Sequence, residues 1–130
     1  MAGPTKFGSP TPVFITDGSG NAVNTTGTVG TASLNSSSGS AVSLIAAGAT
    51  GIFHDISTLI ITNESSTATV VSLSDGTVTY KFAIAANGGG VFNFVNPLPA
   101  STAATAWTVL NSAAVALDYI AVYTSDTVAV

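Results

Sequence analysis

The residues able to do chemistry are few, and His54-Asp55 is the one place where a histidine and an acid stand together. A base with a carboxylate to orient it is what acid–base and nucleophilic catalysis require. Neighbours on a strand point to opposite faces, so Asp55 is badly placed to hold the His54 ring. No Gly-x-Ser-x-Gly elbow accompanies them. The other acids, Asp17, Glu64, Asp75, Asp118 and Asp126, are scattered, and Asp17 and Asp75 precede glycines as turn residues do. The sequence therefore predicts a partly buried or interfacial His54, no catalytic residue and no enzyme.

Metal and cofactor chemistry fares no better. With one His and no Cys, the chain lacks the nitrogen and sulfur ligands of a zinc site. Asp17, Ser19 and Asn21 offer the odd-position oxygens of a calcium loop, but Ala22 stands where that loop needs Gly and Thr28 where it needs Glu. Gly88, Gly89 and Gly90 precede no helix that would supply amides to a phosphate, so they read as a hairpin or corner. Sequons begin at Asn24, Asn35 and Asn63, as chance allows in so Ser/Thr-rich a chain. Trp107, Tyr80, Tyr119 and Tyr123 are the candidates for a sugar-stacking platform, although Trp107 and Tyr80 lie on apolar faces that favour core packing. No cofactor and no metal are expected.

What positions these residues is a set of strands. Over residues 77–84, Val78, Tyr80, Phe82 and Ile84 share one face while Thr77, Thr79, Lys81 and Ala83 share the other. Asp75-Gly76 before them suits a tight hairpin. Residues 70–74, 77–84 and 91–95 read as a meander. Asn96-Pro97-Leu98-Pro99 then ends pairing, because each proline removes a ladder donor. Further strands are expected at residues 41–45, 52–56, 59–62, 105–110 and 115–124. Leu59-Ile60-Ile61 is a continuous apolar run suited to burial on both faces. In the last strand both faces are apolar, with Ile120 and Val122 opposite Tyr119 and Ala121, so one face suits the core and the other a partner. Helical periodicity is missing, and short strands between frequent turns predict an all-β antiparallel sandwich or barrel.

Residues 1–40 read differently. Pro4, Pro10 and Pro12 stand among Gly, Ser and Thr in residues 1–12, and Val23, Val29 and Leu34 are the only sizeable apolar residues of the polar stretch 18–39. Such a segment orders only against something else, its own sheet edge or a neighbouring subunit. The expected division is an extended arm over 1–40 and a β-sandwich body over 41–130.

Composition narrows the function. Of 130 residues, 46% are hydrophobic but only 6% charged, against roughly 25% in an ordinary soluble domain. So uncharged a surface is prone to association, which burial between subunits resolves. The net charge is −4 and the only basic residues are Lys6 and Lys81, which argues against direct nucleic-acid binding and against an anionic membrane surface. No apolar run approaches the ~20 residues of a membrane helix. The N-terminus has no apolar stretch of a secretory signal, and without cysteine the fold is left to packing, backbone pairing or oligomerisation.

The order of segments resembles a known group. An apolar run (Leu59 to Thr62), a Ser/Thr-rich turn, Ser74-Asp75-Gly76, an aromatic strand, Asn87-Gly88-Gly89-Gly90, Asn96-Pro97-Leu98 and a closing Ile120-Ala121-Val122-Tyr123 are similar to small structural proteins of tailed bacteriophages. The match is to those that decorate or cement the capsid, and it covers roughly residues 40–124. Pro12-Val13-Phe14-Ile15-Thr16-Asp17-Gly18 also looks like the opening of phage virion proteins. The resemblance implies a jelly-roll-type sandwich, often trimeric, bound to the major capsid protein on the outer surface of the virion. Its contacts, with shell or subunit, would then fall at Val13, Phe14 and Ile15 in the arm and at Ile120 and Val122 in the body. The reading from another class is a glycan-binding head-fibre or tail module that uses Trp107 and the tyrosines.

Overall fold

A computed structural model describes residues 28–127. Val13, Phe14, Ile15 and the calcium-like loop at 17–21 therefore lie outside the described residues. Eight strands form: β1 (Thr28–Ser36), β2 (Val42–Ile45), β3 (Phe53–Asn63), β4 (Thr69–Ser74), β5 (Thr79–Ile84), β6 (Gly88–Leu98), β7 (Trp107–Asn111) and β8 (Leu117–Asp126). They make two four-stranded sheets, ordered β1-β8-β3-β6 and β2-β7-β4-β5. Every ladder is antiparallel. An eight-stranded sandwich in this order is a jelly roll, so the all-β sandwich of the sequence reading stands.

Period-two alternation builds the core. Leu59 and Ile61 point inward from β3, Val71 and Leu73 from β4, and Tyr119 and Ala121 from β8, each at most 1% exposed. Trp107 opens β7 at 0% exposure and packs beside Tyr80, ring centroids 6.3 Å apart. Full burial of an aliphatic side chain of this size contributes about 1.5–3 kcal/mol. The β5 face read from the sequence is the one that turns inward: Tyr80 and Phe82 are half-buried and Ile84 is buried, while Thr79, Lys81 and Ala83 are exposed.

The expected meander does not form. β4 and β5 pair as a hairpin through Asp75-Gly76, with Gly76 at φ +92°. β5 and β6 belong to different sheets, so residues 85–87 are a corner that carries the chain across the sandwich. Asn87 takes φ 51° there, and its amide donates to Ser65 O at 2.7 Å. Alternation tells which face of a strand is buried; it does not tell which sheet the strand joins.

Nor does Pro97 end the pairing. β6 runs on to Leu98, which pairs with Ile56, after an irregular stretch between Asn93 and Leu98 that has no ladder partner. Pro97 sits in that stretch on an edge strand, where a missing N–H breaks no ladder. Opposite it, the two segments read as separate strands at 52–56 and 59–62 are one strand, β3, kinked by a bulge between Ile56 and Thr58. The inserted Ser57 donates its hydroxyl to Val122 O at 3.1 Å. It also shifts the alternation, so that Ile56 and Leu59, three apart, both face the core.

The division at residue 40 moves as well. β1 pairs with β8 from Thr28 to Ser36, so the sandwich starts inside the stretch read as arm. The sequence had allowed for order against the chain's own sheet edge, and for residues 28–36 that is the outcome. Its inward positions are Gly30, Ala32, Leu34 and Ser36, of which only Leu34 is a sizeable apolar residue, so no strong apolar alternation shows. Gly30 is opposite Tyr123, and a Cβ there would lie 2.8 Å from the Tyr123 ring, so the ring occupies the space a side chain would take.

Candidate interaction face

The outer face of the β1-β8-β3-β6 sheet is where the least ordinary surface collects. Pairing register aligns three rows across its four strands. Ser33, Ile120, Ile60 and Val91 form the middle row. Asn35, Asp118, Thr62 and Gly89 lie on one side of it, and Thr31, Val122, Thr58 and Asn93 on the other. One side chain in these three rows is ionic, Asp118, and it accepts a hydrogen bond from Asn35 Nδ2 at 2.7 Å. Thr58 Oγ1 donates to Asn93 Oδ1 at 3.0 Å. The middle row is aliphatic across three adjacent strands, with Ile120 43% and Val91 62% exposed.

Ile120 and Val122, singled out from the sequence, are thus central in this face. Ile60 and Val91 complete the row and were missed. The Leu59-Ile60-Ile61 run carried the signal, but it was read as a strand buried on both faces. In the structure Leu59 and Ile61 are core while Ile60 is half-buried on the outside. Beside the row lies an open groove of about 730 Å3, lined by Ile60, Thr62, Glu64, Asn87, Gly89 and Val91. Gly88, Gly89 and Gly90 are part of its lining and add no side chains to it. The other sheet's outer face differs: Lys81, the one Lys or Arg among the described residues, shares its row with Ser72 and Leu110, and the rows beside it are Thr79, Ser74 and Thr108 on one side and Ala83 and Val70 on the other.

The residues screened for chemistry sit elsewhere. His54 is buried with its ring 5.0 Å from that of Tyr123, and its carbonyl accepts from Trp107 Nε1 at 2.7 Å. Asp55 is fully buried; its Oδ1 accepts from Ala100 N at 2.8 Å, while its Oδ2 and His54 Nδ1 have no hydrogen-bond partner. Burial pushes the Asp55 carboxyl above its ordinary range; the Ala100 amide and His54 oppose that, and nearby Asp126 adds to it. Asp75, at 1% exposure, goes the other way. Burial raises it too, but hydrogen bonds from Ser101, Val78 and Thr77 prevail and hold it below the usual carboxylate range. Among the described residues no three His, Cys, Asp or Glu side chains gather as metal ligands.

Two further groups are structural. Asn111 donates to Ser36 O at 3.0 Å and Val115 O at 2.9 Å, and accepts from the Tyr119 hydroxyl. That tie joins both sheets, and burial pushes the Tyr119 phenol up to about 12. Asn63 is 1% exposed and donates to Thr67 O and Ala85 O, so its sequon is closed to a glycan. Trp107 and Tyr119 are buried as well, so they offer no sugar platform.

The fold and this face define a jelly-roll protein whose outer sheet face carries an aliphatic row between polar ones, with one ionic side chain in the three. No family model, no curated protein and no solved structure matches the chain.

Proposed function

We propose that this chain is a bacteriophage virion structural protein of the decoration or cement type. In that role it binds the outer surface of the major capsid protein shell as a homo-oligomer and stabilises it. The observation that carries the reading is the aliphatic row Ile120–Ile60–Val91 in a face with a single ionic side chain. A water-facing sheet normally alternates to polar residues on its outer side, and exposed apolar surface of this kind marks a protein contact. The composition supports the same reading, since 6% charged residues leave little to keep isolated molecules apart. Burial of Trp107 removes the residue on which a glycan-binding reading leaned.

The test is addition of the purified chain to capsids that lack it. Saturable binding and a higher temperature of shell opening are expected. Unchanged shell stability at saturating protein removes the proposal.

A further inference from the structure

We infer that the outer face of the β1-β8-β3-β6 sheet is the surface through which two copies of this chain associate. The inference rests on the homo-oligomeric part of the proposed function, puts a closed two-fold pair in place of the trimer that the resemblance implies, and does not depend on shell binding. Three observations meet on a second copy as the occupant.

The first is area. A four-stranded sheet with strands ~4.8 Å apart and about 25 Å long presents roughly 500 Å2. Two such faces together remove about 1,000 Å2 from water, the lower bound for a specific interface. The second is shape. The outward residues are short and mostly β-branched, and sheets of this kind stack face to face at ~10 Å with strand directions within about 30° of each other.

The third is charge. A two-fold axis lying in the face, parallel to the strands and midway between β8 and β3, sets Ile120 over the second copy's Ile60. It sets Val122 over the second copy's Thr58 and Asp118 over its Thr62, whose hydroxyl can donate to the carboxylate. The one ionic residue of the rows therefore meets a hydrogen-bond donor and not its own copy. An isologous contact satisfies both halves at once and closes on itself. On the opposite outer face Val70 and Leu110 fall in different rows, and Leu110 shares its row with Ser72 and Lys81, so no aliphatic row crosses three strands there.

The experiment is sedimentation equilibrium on the full chain over a range of concentrations, with Ile120→Lys and Val91→Lys beside it. Thr79→Lys puts the same charge on the opposite face. A dimer mass is expected for the wild type and for Thr79→Lys, and Ile120→Lys should weaken association about tenfold or more. Val91 is 62% exposed on an edge strand, so Val91→Lys gives the same reading should Ile120→Lys fail to fold. A wild-type mass of one or three copies overturns the two-fold contact, and so does a folded Val91→Lys that dimerises as tightly as the wild type. Capsid binding that persists in either case leaves the cement reading standing.

Discussion

Asp55 and Asp75, one from each sheet region, hold consecutive amides of the connection between β6 and β7. Asp55 Oδ1 takes Ala100 N at 2.8 Å and Asp75 Oδ2 takes Ser101 N at 2.7 Å. The two carboxylates are almost equally buried, at 0% and 1% exposure, yet their acidities move in opposite directions. The count of donors decides. Asp75 also receives the amides of Thr77 and Val78, whereas Asp55 has one amide and an oxygen with no partner.

Asp55→Asn should therefore stabilise the protein at neutral pH. A carboxyl whose folded pKa lies above its unfolded 3.8 binds its proton more tightly when native. Stability then falls as pH rises through the interval between the two values, and the deficit is complete above it. The amide keeps an acceptor for Ala100 and carries no charge. The expected gain is about 1 kcal/mol at pH 7, shrinking to nothing in acid. Urea unfolding at both pH values measures it, and a variant weaker than wild type at neutral pH sinks the account.

Asp75→Ala should do the reverse. A depressed folded pKa adds stability that is present above the ordinary 3.8 and lost as pH falls through the folded value. Removing the acceptor shared by the Thr77, Val78 and Ser101 amides should cost about 1–3 kcal/mol at pH 7, and the variant should lose less than wild type on acidification. Equal acid sensitivity of the two proteins would show that Asp75 is not the group responsible.

The tie between Asn111 and Tyr119 can be read optically. With its phenol pushed up to about 12, Tyr119 should stay neutral well above the ordinary phenol range. In spectrophotometric titrations, the wild type and Tyr119→Phe should differ only near that pH or once the protein unfolds. Asn111→Ala should cost about 2–4 kcal/mol, because Ser36 O, Val115 O and the Tyr119 hydroxyl all lose a partner.

Gly30→Val tests the edge. Its side chain would meet the Tyr123 ring, which must swing out or let β1 lift from β8. A loss of about 1–3 kcal/mol is expected, with amide exchange accelerating in Thr31 to Ser36 before the rest of the sheet. A uniform rise in exchange across β3 and β8 would mean that the whole sandwich, and not its edge, has yielded.

Much of this fold was legible because alternation is local. The face of β5, the Asp75-Gly76 hairpin and the two-faced β8 all follow from residues within reach of one another. What stayed hidden needed information from the partner strand. β1 looked like linker because Gly30 and Ala32 fill its inward positions, and only Tyr123 across the ladder explains Gly30. β3 looked like two strands because Ser57 resets the period. The interaction face was half visible for the same reason. Ile120 and Val122 declared themselves within β8, but joining them to Ile60 and Val91 takes the register of three strands.

The pairing of Thr28 with Ser125 puts the first described strand beside the last. While the chain is still emerging from the ribosome, β3 therefore lacks the neighbour that separates it from β1, and the sheet cannot close until β8 has been made. Closure of this sheet has to wait for nearly the whole body, and a product cut short before residue 117 would leave β1 and β3 without the strand that joins them.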